Sequence, residues 1–283
     1  MAACRLGLHP SPRPTSEDAP AMRWKPLAFA IGLALSGALP RPAATVDLAL
    51  VLLNDVSRSM DESEYALVKA GYRAAFADPE VIAALIGNGG GVAVAYVEFS
   101  GKNEIRQVLD WQVLTDAASA QVFGEAVAAA PRSSAGNTAL SAGIAEGARL
   151  LLDGDFGTAR RVIDVASDHP SDGGRSAAIR DAAVAAGITI NALAIVDEQP
   201  IGTIDGRMTY ATARWGSETV VEFYLRNVVG GPGSFAVEAR DFAVFGEALK
   251  RKLLLEFIAT PEPEEPARPA PLVTAAASLQ GGP

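Results

Sequence analysis

Apolar positions in this chain alternate between continuous runs and helical stripes. The run Val46–Leu53 is short, unbroken and rich in Val and Leu, which predicts a strand buried on both faces. After it, Asp61 and Glu62 open a stretch with Tyr65, Val68, Tyr72 and Phe76 at helical spacing, predicting a helix over Asp61–Ala77. Gly87-Asn88-Gly89-Gly90-Gly91 reads as a turn into a strand Val92–Phe99, and Ile105–Leu109 as an antiparallel partner across the Gly101–Asn103 turn. Thr115 is expected to cap a helix running to Ala130, with Val122, Ala126 and Ala130 on one face. A helix Ala139–Leu152 turns Leu140, Ile144 and Leu151 inward, followed by a strand Val162–Ala166 and a helix Arg175–Ala186. Gly187 then serves as a C-cap before a strand Ile188–Val196. The pattern closes with a helix Glu218–Val228, a turn at Gly230-Gly231-Pro232-Gly233, a strand Phe235–Val237 and a helix Asp241–Ile258. That last helix carries the stripe Phe242, Phe245, Leu249, Leu253 and Phe257.

Strands alternating with helices predict an α/β fold: a Rossmann-like, doubly wound, mainly parallel sheet with helices on both faces and one antiparallel edge strand. Right-handed crossovers gather the strand-end loops on one rim, here residues 54–60, 100–103, 167–174 and 197–216. Ligands bind at the carboxyl ends of strands in such sheets.

The ends of the chain alter the picture. Residues 1–21 carry Pro10, Pro12, Pro14 and Pro20 without periodicity. Met22-Arg23-Trp24-Lys25 then precedes the apolar stretch Pro26–Leu39, a basic segment and a core too short to span a bilayer comfortably. The expectation is a secretory signal over about 22–44, cleaved after Ala38 or Ala44, with Met22 the better start; an uncleaved anchor is the alternative. The organisation read from the sequence is therefore 1–44 extension and signal, 45–259 folded domain and 260–283 a disordered Pro/Ala-rich tail opened by Pro261-Glu262-Pro263-Glu264-Glu265-Pro266. The one cysteine, Cys4, would leave with the signal, so the mature domain would have no disulfide. The net charge is −9; without residues 1–44, which hold five Lys/Arg and two acids, it becomes −12. Such a surface repels phosphate backbones, so nucleic acid is not an expected partner. The expected destination is the periplasm or the exterior, with no stable membrane insertion after cleavage.

Candidate chemistry sits at the end of the first strand. Asp55-Val56-Ser57-Arg58-Ser59 offers one carboxylate and two hydroxyls, hard oxygen donors of the kind Mg²⁺, Mn²⁺ or Ca²⁺ prefer. Thr138 lies in the polar loop Ser133-Ser134-Ala135-Gly136-Asn137-Thr138 before the next helix, and Asp168 ends a later strand. The alternative is that Ser57, Ser59 and Thr138 merely cap helices and Asp168 makes an Asx turn. Asp-x-Ser-x-Ser, then a distant Thr, then a distant Asp, resembles the metal-ion-dependent adhesion site of von Willebrand factor type A (VWA) domains. Four stretches resemble, in combination, a bacterial family of exported VWA-like proteins of unknown function: Asp55–Asp61, Tyr96–Gly101, Arg160–Val165 and Gly230–Phe235. The resemblance covers about residues 45–258. It implies Ser57, Ser59 and Thr138 as ligands of a divalent ion, with Asp55 and Asp168 close by, and an acidic side chain of a partner protein in the open position. Two departures stand out. Ala166-Ser167-Asp168-His169 replaces Ser-Gly-Asp-Gly, making His169 a candidate base, extra ligand or solvated loop residue. Asn54 replaces an apolar residue and is expected to perturb the strand end.

Other chemistry is poorly supported. A Ser-His-Asp hydrolase would have to use His169, and no Gly-x-Ser-x-Gly elbow presents a serine. Gly87–Gly91 lacks the Lys-Ser/Thr of a phosphate loop and leads into a strand. Glu98 is expected to pair with an arginine or face solvent, Trp111 and Trp215 to pack, and Asp197 and Glu198 to be solvated. The expectation is a binding module rather than an enzyme, with no catalytic residues. A metal-assisted hydrolase with Asp168 or His169 as base is the first alternative, and a VWA-like scaffold with a vestigial site the second.

Overall fold

All eight side chains of β1 (Leu48–Asp55) are buried, because the strand lies at the middle of a sheet covered on both faces. Leu48, Leu50 and Leu52 point into one core and Ala49, Val51 and Leu53 into the other, the period-2 alternation of a strand with no wet side. The computed structural model describes residues 44–258, apart from 88, 158–159, 171–174, 198, 205–206, 212–213 and 216, together with 272–274. The segment read as a signal, up to residue 43, the acidic stretch 261–266 and Glu198 lie outside the described residues.

From β1 the chain runs through α1 (Glu62–Ala77) and α2 (Pro79–Ile86) to β2 (Val92–Phe99) and β3 (Ile105–Leu114). It continues through α3 (Ala117–Ala129), α4 (Leu140–Asp153), β4 (Arg160–Ser167), α5 (Ser176–Ala185) and β5 (Thr189–Ile195). After a hairpin of Gln199–Ile204 with Arg207–Ala211 come α6 (Val220–Asn227), β6 (Ala236–Ala239), α7 (Phe245–Ile258) and β7 (Leu272–Thr274). The sheet order is β7-β6-β5-β4-β1-β2-β3, parallel except for the β2–β3 pair. The chain leaves β1 toward β2 and β3, then returns to the other flank to place β4. β1 and β4 are thus the strands at which the order reverses, the crevice where open α/β sheets hold ligands.

One core packs α1, α2, α3 and α7 on the sheet through Tyr72, Phe76, Leu85, Phe123, Phe245 and Leu253; the other packs α4, α5 and α6 through Ile144, Leu151, Ala183 and Phe223. Each fully buried apolar side chain of this size contributes about 1.5–3 kcal/mol before entropy is counted. The stripe Phe242, Phe245, Leu249, Leu253 and Phe257 is buried throughout, and Gly187 adopts φ +79° just past α5, as a C-cap glycine does.

Several expectations need correction. α3 buries Ala120, Phe123, Gly124 and Val127, while Val122 is 63% exposed. Its cap is Asp116, whose side chain accepts from the Ser119 amide, not Thr115. α2 is a separate helix, begun by the Asp78 cap with Pro79 in its first turn. β3 continues past Leu109 to Leu114. Asn54 does not perturb the strand: it keeps register with both neighbours, and its Nδ2 donates to the Asp55 carbonyl at 3.0 Å. Glu98 neither faces solvent nor pairs with arginine; it is fully buried against Lys69. In the stretch read as a disordered tail, Leu272–Thr274 pairs in parallel with β6. Trp111 packs as expected, edge-on to Phe156 at 4.8 Å between ring centroids.

Candidate metal centre

The turn after β1 is built by its own side chains. Asp55 Oδ1 accepts from the Ser57 amide at 2.8 Å, an Asx turn that swings Ser57 and Ser59 across the strand end. None of the candidate hydroxyls is spent on a helix cap. Asp61 caps α1, accepting from the amides of Ser63 and Glu64, and the Glu64 carboxylate returns to the Asp61 amide in a capping box. α4 begins at Ala139 with no side-chain cap, and the Ala139 amide is satisfied by the Ser100 carbonyl at 2.7 Å. Thr138 is thereby left to face β1.

Because β4 lies beside β1, with Asn54 opposite Ala166, Asp168 emerges next to the turn. Thr138 Oγ1 donates to Ser57 Oγ at 3.0 Å, Ser57 Oγ lies 3.0 Å from Ser59 Oγ, and Ser59 Oγ donates to Asp168 Oδ1 at 3.0 Å. All five residues singled out in the sequence therefore meet at one strand-end crevice. Ser57, Thr138 and Asp168 are buried while Ser59 is exposed, so the oxygen chain opens to solvent at Ser59. Asp55 stands behind it, its second oxygen accepting from Ser167 Oγ at 2.6 Å. His169 is half-buried with its Nδ1 at the Pro170 carbonyl, and its own carbonyl accepts from Tyr224 Oη at 3.2 Å.

Asp55 and Asp168 are both buried, and Arg132 offsets the charge of Asp55 only weakly. Burial pushes Asp55 up to about 6, against the hydrogen bonds from Ser167 and Ser57. Burial also pushes Asp168 up to about 7, and the charge of Asp55 adds to the rise. A divalent ion would supply the missing charge. The donor set fits one: neighbouring ligands of an octahedron with bonds of 2.0–2.1 Å lie about 2.9 Å apart, close to the 3.0 Å spacings seen here. Among the described residues no group of three or more His, Cys, Asp or Glu side chains is set to hold a metal, so hydroxyls would have to dominate the shell.

A sequence profile of DUF1194, described as a protein of unknown function, matches residues 45–261. The chain belongs to the DUF1194 family. The DUF1194 domain folds as a doubly wound, mainly parallel α/β sheet. It resembles the pilus adhesin SpaC from Lactobacillus rhamnosus GG at 17% identity and a TM-score of 0.50, over 76% of this chain and 31% of the adhesin. Two further similar structures are an aerotolerance-related membrane protein from Bacteroides fragilis NCTC 9343 and a von Willebrand factor type A protein from Catenulispora acidiphila. The first is 20% identical over 73% of this chain and 98% of its own, with a TM-score of 0.46. The second is 16% identical over 76% and 43%, also at 0.46. No curated protein matches the chain. Among the described residues of the DUF1194 domain, no helix is long and apolar enough to cross a membrane.

Sequence reasoning missed Ser167, which holds Asp55, and Arg132, whose guanidinium reaches three carbonyls of the 56–60 turn. The serine is adjacent to a candidate and could have been found. The arginine acts across loops on backbone oxygens, which leaves no spacing pattern.

Proposed function

We propose that this DUF1194 domain is an exported binding module that docks a partner protein through a divalent ion, Mg²⁺ or Mn²⁺, held by Ser57, Ser59 and Thr138 with Asp55 and Asp168 behind. The observation that carries this reading is the run of 3.0 Å oxygen contacts from Thr138 to Asp168, opening to solvent at Ser59. A shell made mostly of neutral hydroxyls leaves much of the ion's charge uncompensated, and an external carboxylate would offset it. With a net charge of −9 on the chain, long-range repulsion opposes an acidic partner, so the contact is short-ranged and centred on the ion. Binding rather than catalysis is favoured because the sequence holds no Gly-x-Ser-x-Gly elbow to present a serine nucleophile beside His169. The likeness to a pilus adhesin agrees with a role in protein contact. In the experiment that tests the reading, the mature protein captures its partner from periplasmic extract with Mg²⁺ present. Capture is lost with chelator and in Ser57→Ala and Thr138→Ala, and persists in His169→Ala. Capture that survives both chelation and the two substitutions would overturn it.

A further inference from the structure

The 56–60 turn is gripped from outside by a segment that also delivers Thr138. Arg132 Nη2 donates to the carbonyls of Val56 at 3.0 Å, Ser57 at 2.7 Å and Met60 at 2.9 Å, and its Nε donates to Val56 at 3.3 Å. Four residues on, the Gly136 carbonyl accepts from the Arg58 amide at 2.9 Å. Two residues further, Thr138 meets Ser57. The segment is itself anchored to a buried charge. Glu98 Oε2 accepts from the Ser133 amide at 2.8 Å, while Oε1 accepts from Tyr65 Oη at 2.9 Å and pairs with Lys69 at 3.2 Å. The Tyr65 ring lies 5.4 Å from the Arg132 guanidinium. Glu98 therefore fixes both the backbone beside Arg132 and the ring against which it rests.

We infer that Arg132 is a positioning residue for ion binding: it holds the Val56–Met60 turn in the shape that spaces Ser57, Ser59 and Thr138 for a divalent cation. This rests on the reading of the site as an ion site. Two physical effects of the side chain have opposite signs. Its positive charge would repel an incoming cation. Its fork, in contrast, ties down three carbonyls that would otherwise leave the turn free to spread. If charge dominated, neutralising Arg132 would tighten ion binding. Geometry predicts the reverse, and predicts that lysine cannot substitute, because a point charge on a flexible stem lacks the planar fork.

The test is Mn²⁺ titration calorimetry on the mature protein and on Arg132→Lys and Arg132→Gln, each verified as folded by circular dichroism at the assay temperature. Both variants should bind Mn²⁺ about 10–100-fold more weakly, the loss typical of residues that orient metal ligands. Unchanged affinity in both variants, or tighter binding by Arg132→Gln, would overturn the inference. A purely structural role would lower the melting temperature and leave affinity alone. If neither variant folds, the Arg132 Nε–H resonance of the wild type decides. It should exchange slowly with water both before and after Mg²⁺ is added, and fast exchange in the loaded protein sinks the idea. Wild type that takes up no ion would bring down the metal reading and this inference with it, whereas a binding wild type with indifferent variants removes only the role of Arg132.

Discussion

The carboxylates of the site convert local burial into a pH dependence whose sign can be worked out. Asp55 is pushed up to about 6 and Asp168 to about 7, so each holds its proton more tightly folded than unfolded. The stability this gives the ion-free domain is fully present at pH values below the ordinary carboxylate range. It is lost as pH rises through about 7. Ion binding runs the other way, since the ion needs ionised carboxylates and displaces their protons. The gain in melting temperature on adding Mn²⁺ should therefore be small near about pH 5 and reach its full size by about pH 8. Calorimetry in buffers of different ionisation enthalpy should detect released protons, and a gain that is flat across this window would argue against ion binding at these carboxylates. Asp55→Ala should abolish the gain at every pH. For the wild type the stabilisation behind this gain should follow mass action, about 2.7 kcal/mol at a hundredfold excess over Kd. Equal responses of wild type and Asp55→Ala would move the ion elsewhere.

Among the elements, α3 carries the clearest divergence between pattern and structure. Its run of alanines gives little contrast between faces, and the stripe Val122, Ala126, Ala130 looked as apolar as any other. What decides the buried face is a close approach to α1: Phe123 packs edge-on against Phe76 at 4.9 Å, and a Cβ on Gly124 would fall 2.9 Å from the Phe76 Cβ. A missing side chain is invisible to a hydrophobicity pattern, which is why the face was misassigned. Gly124→Ala should destabilise the domain by about 1–3 kcal/mol despite its better helix propensity. Val122→Ala, on the exposed face, should stay within about 0.5 kcal/mol. Urea unfolding of both variants checks this, and equal effects would mean that α1 and α3 do not meet as described. Elements with strong contrast were read closely: β1, β2, α1, α4 and the α7 stripe fall within a few residues of expectation. That the five candidate side chains gather at one crevice was legible because they lie at element ends, which patterns mark well. Ser167, Arg132 and the Glu98 cluster were not, since their roles arise only when distant elements pack.

For the molecule as a whole, alternation of strands and helices was enough to give the doubly wound sheet, but not its buried charges. Lys252 on α7 is fully buried and pairs with Asp164 of β4, while Glu256 accepts from Asn191 of β5 at 2.7 Å and pairs with Arg160 at 3.6 Å. This network joins α7 to two strands, and no spacing in the sequence marks its members as partners. Burial raises both Asp164 and Glu256 above the usual carboxylate range. Lys252→Met would leave Asp164 without a cation and Glu256 with Arg160 alone, at a cost of about 3–5 kcal/mol near neutrality. The deficit should shrink as pH falls, because protonation removes the unpaired charge. Chemical denaturation at several pH values reads this, and a deficit independent of pH would mean that the lysine contributes packing alone.

The central position of β1 also fixes an order of events. It is synthesised before its neighbours, yet both of its edges remain open until residues 92–99 and 160–167 have followed. A nascent chain ending before Arg160 thus holds an apolar strand that nothing can complete. Contacts of such long sequence separation form slowly, and an unpaired apolar strand is prone to aggregate while it waits. Until Arg160 has been made, the apolar β1 therefore stays open to pairing with strands of other copies of the chain.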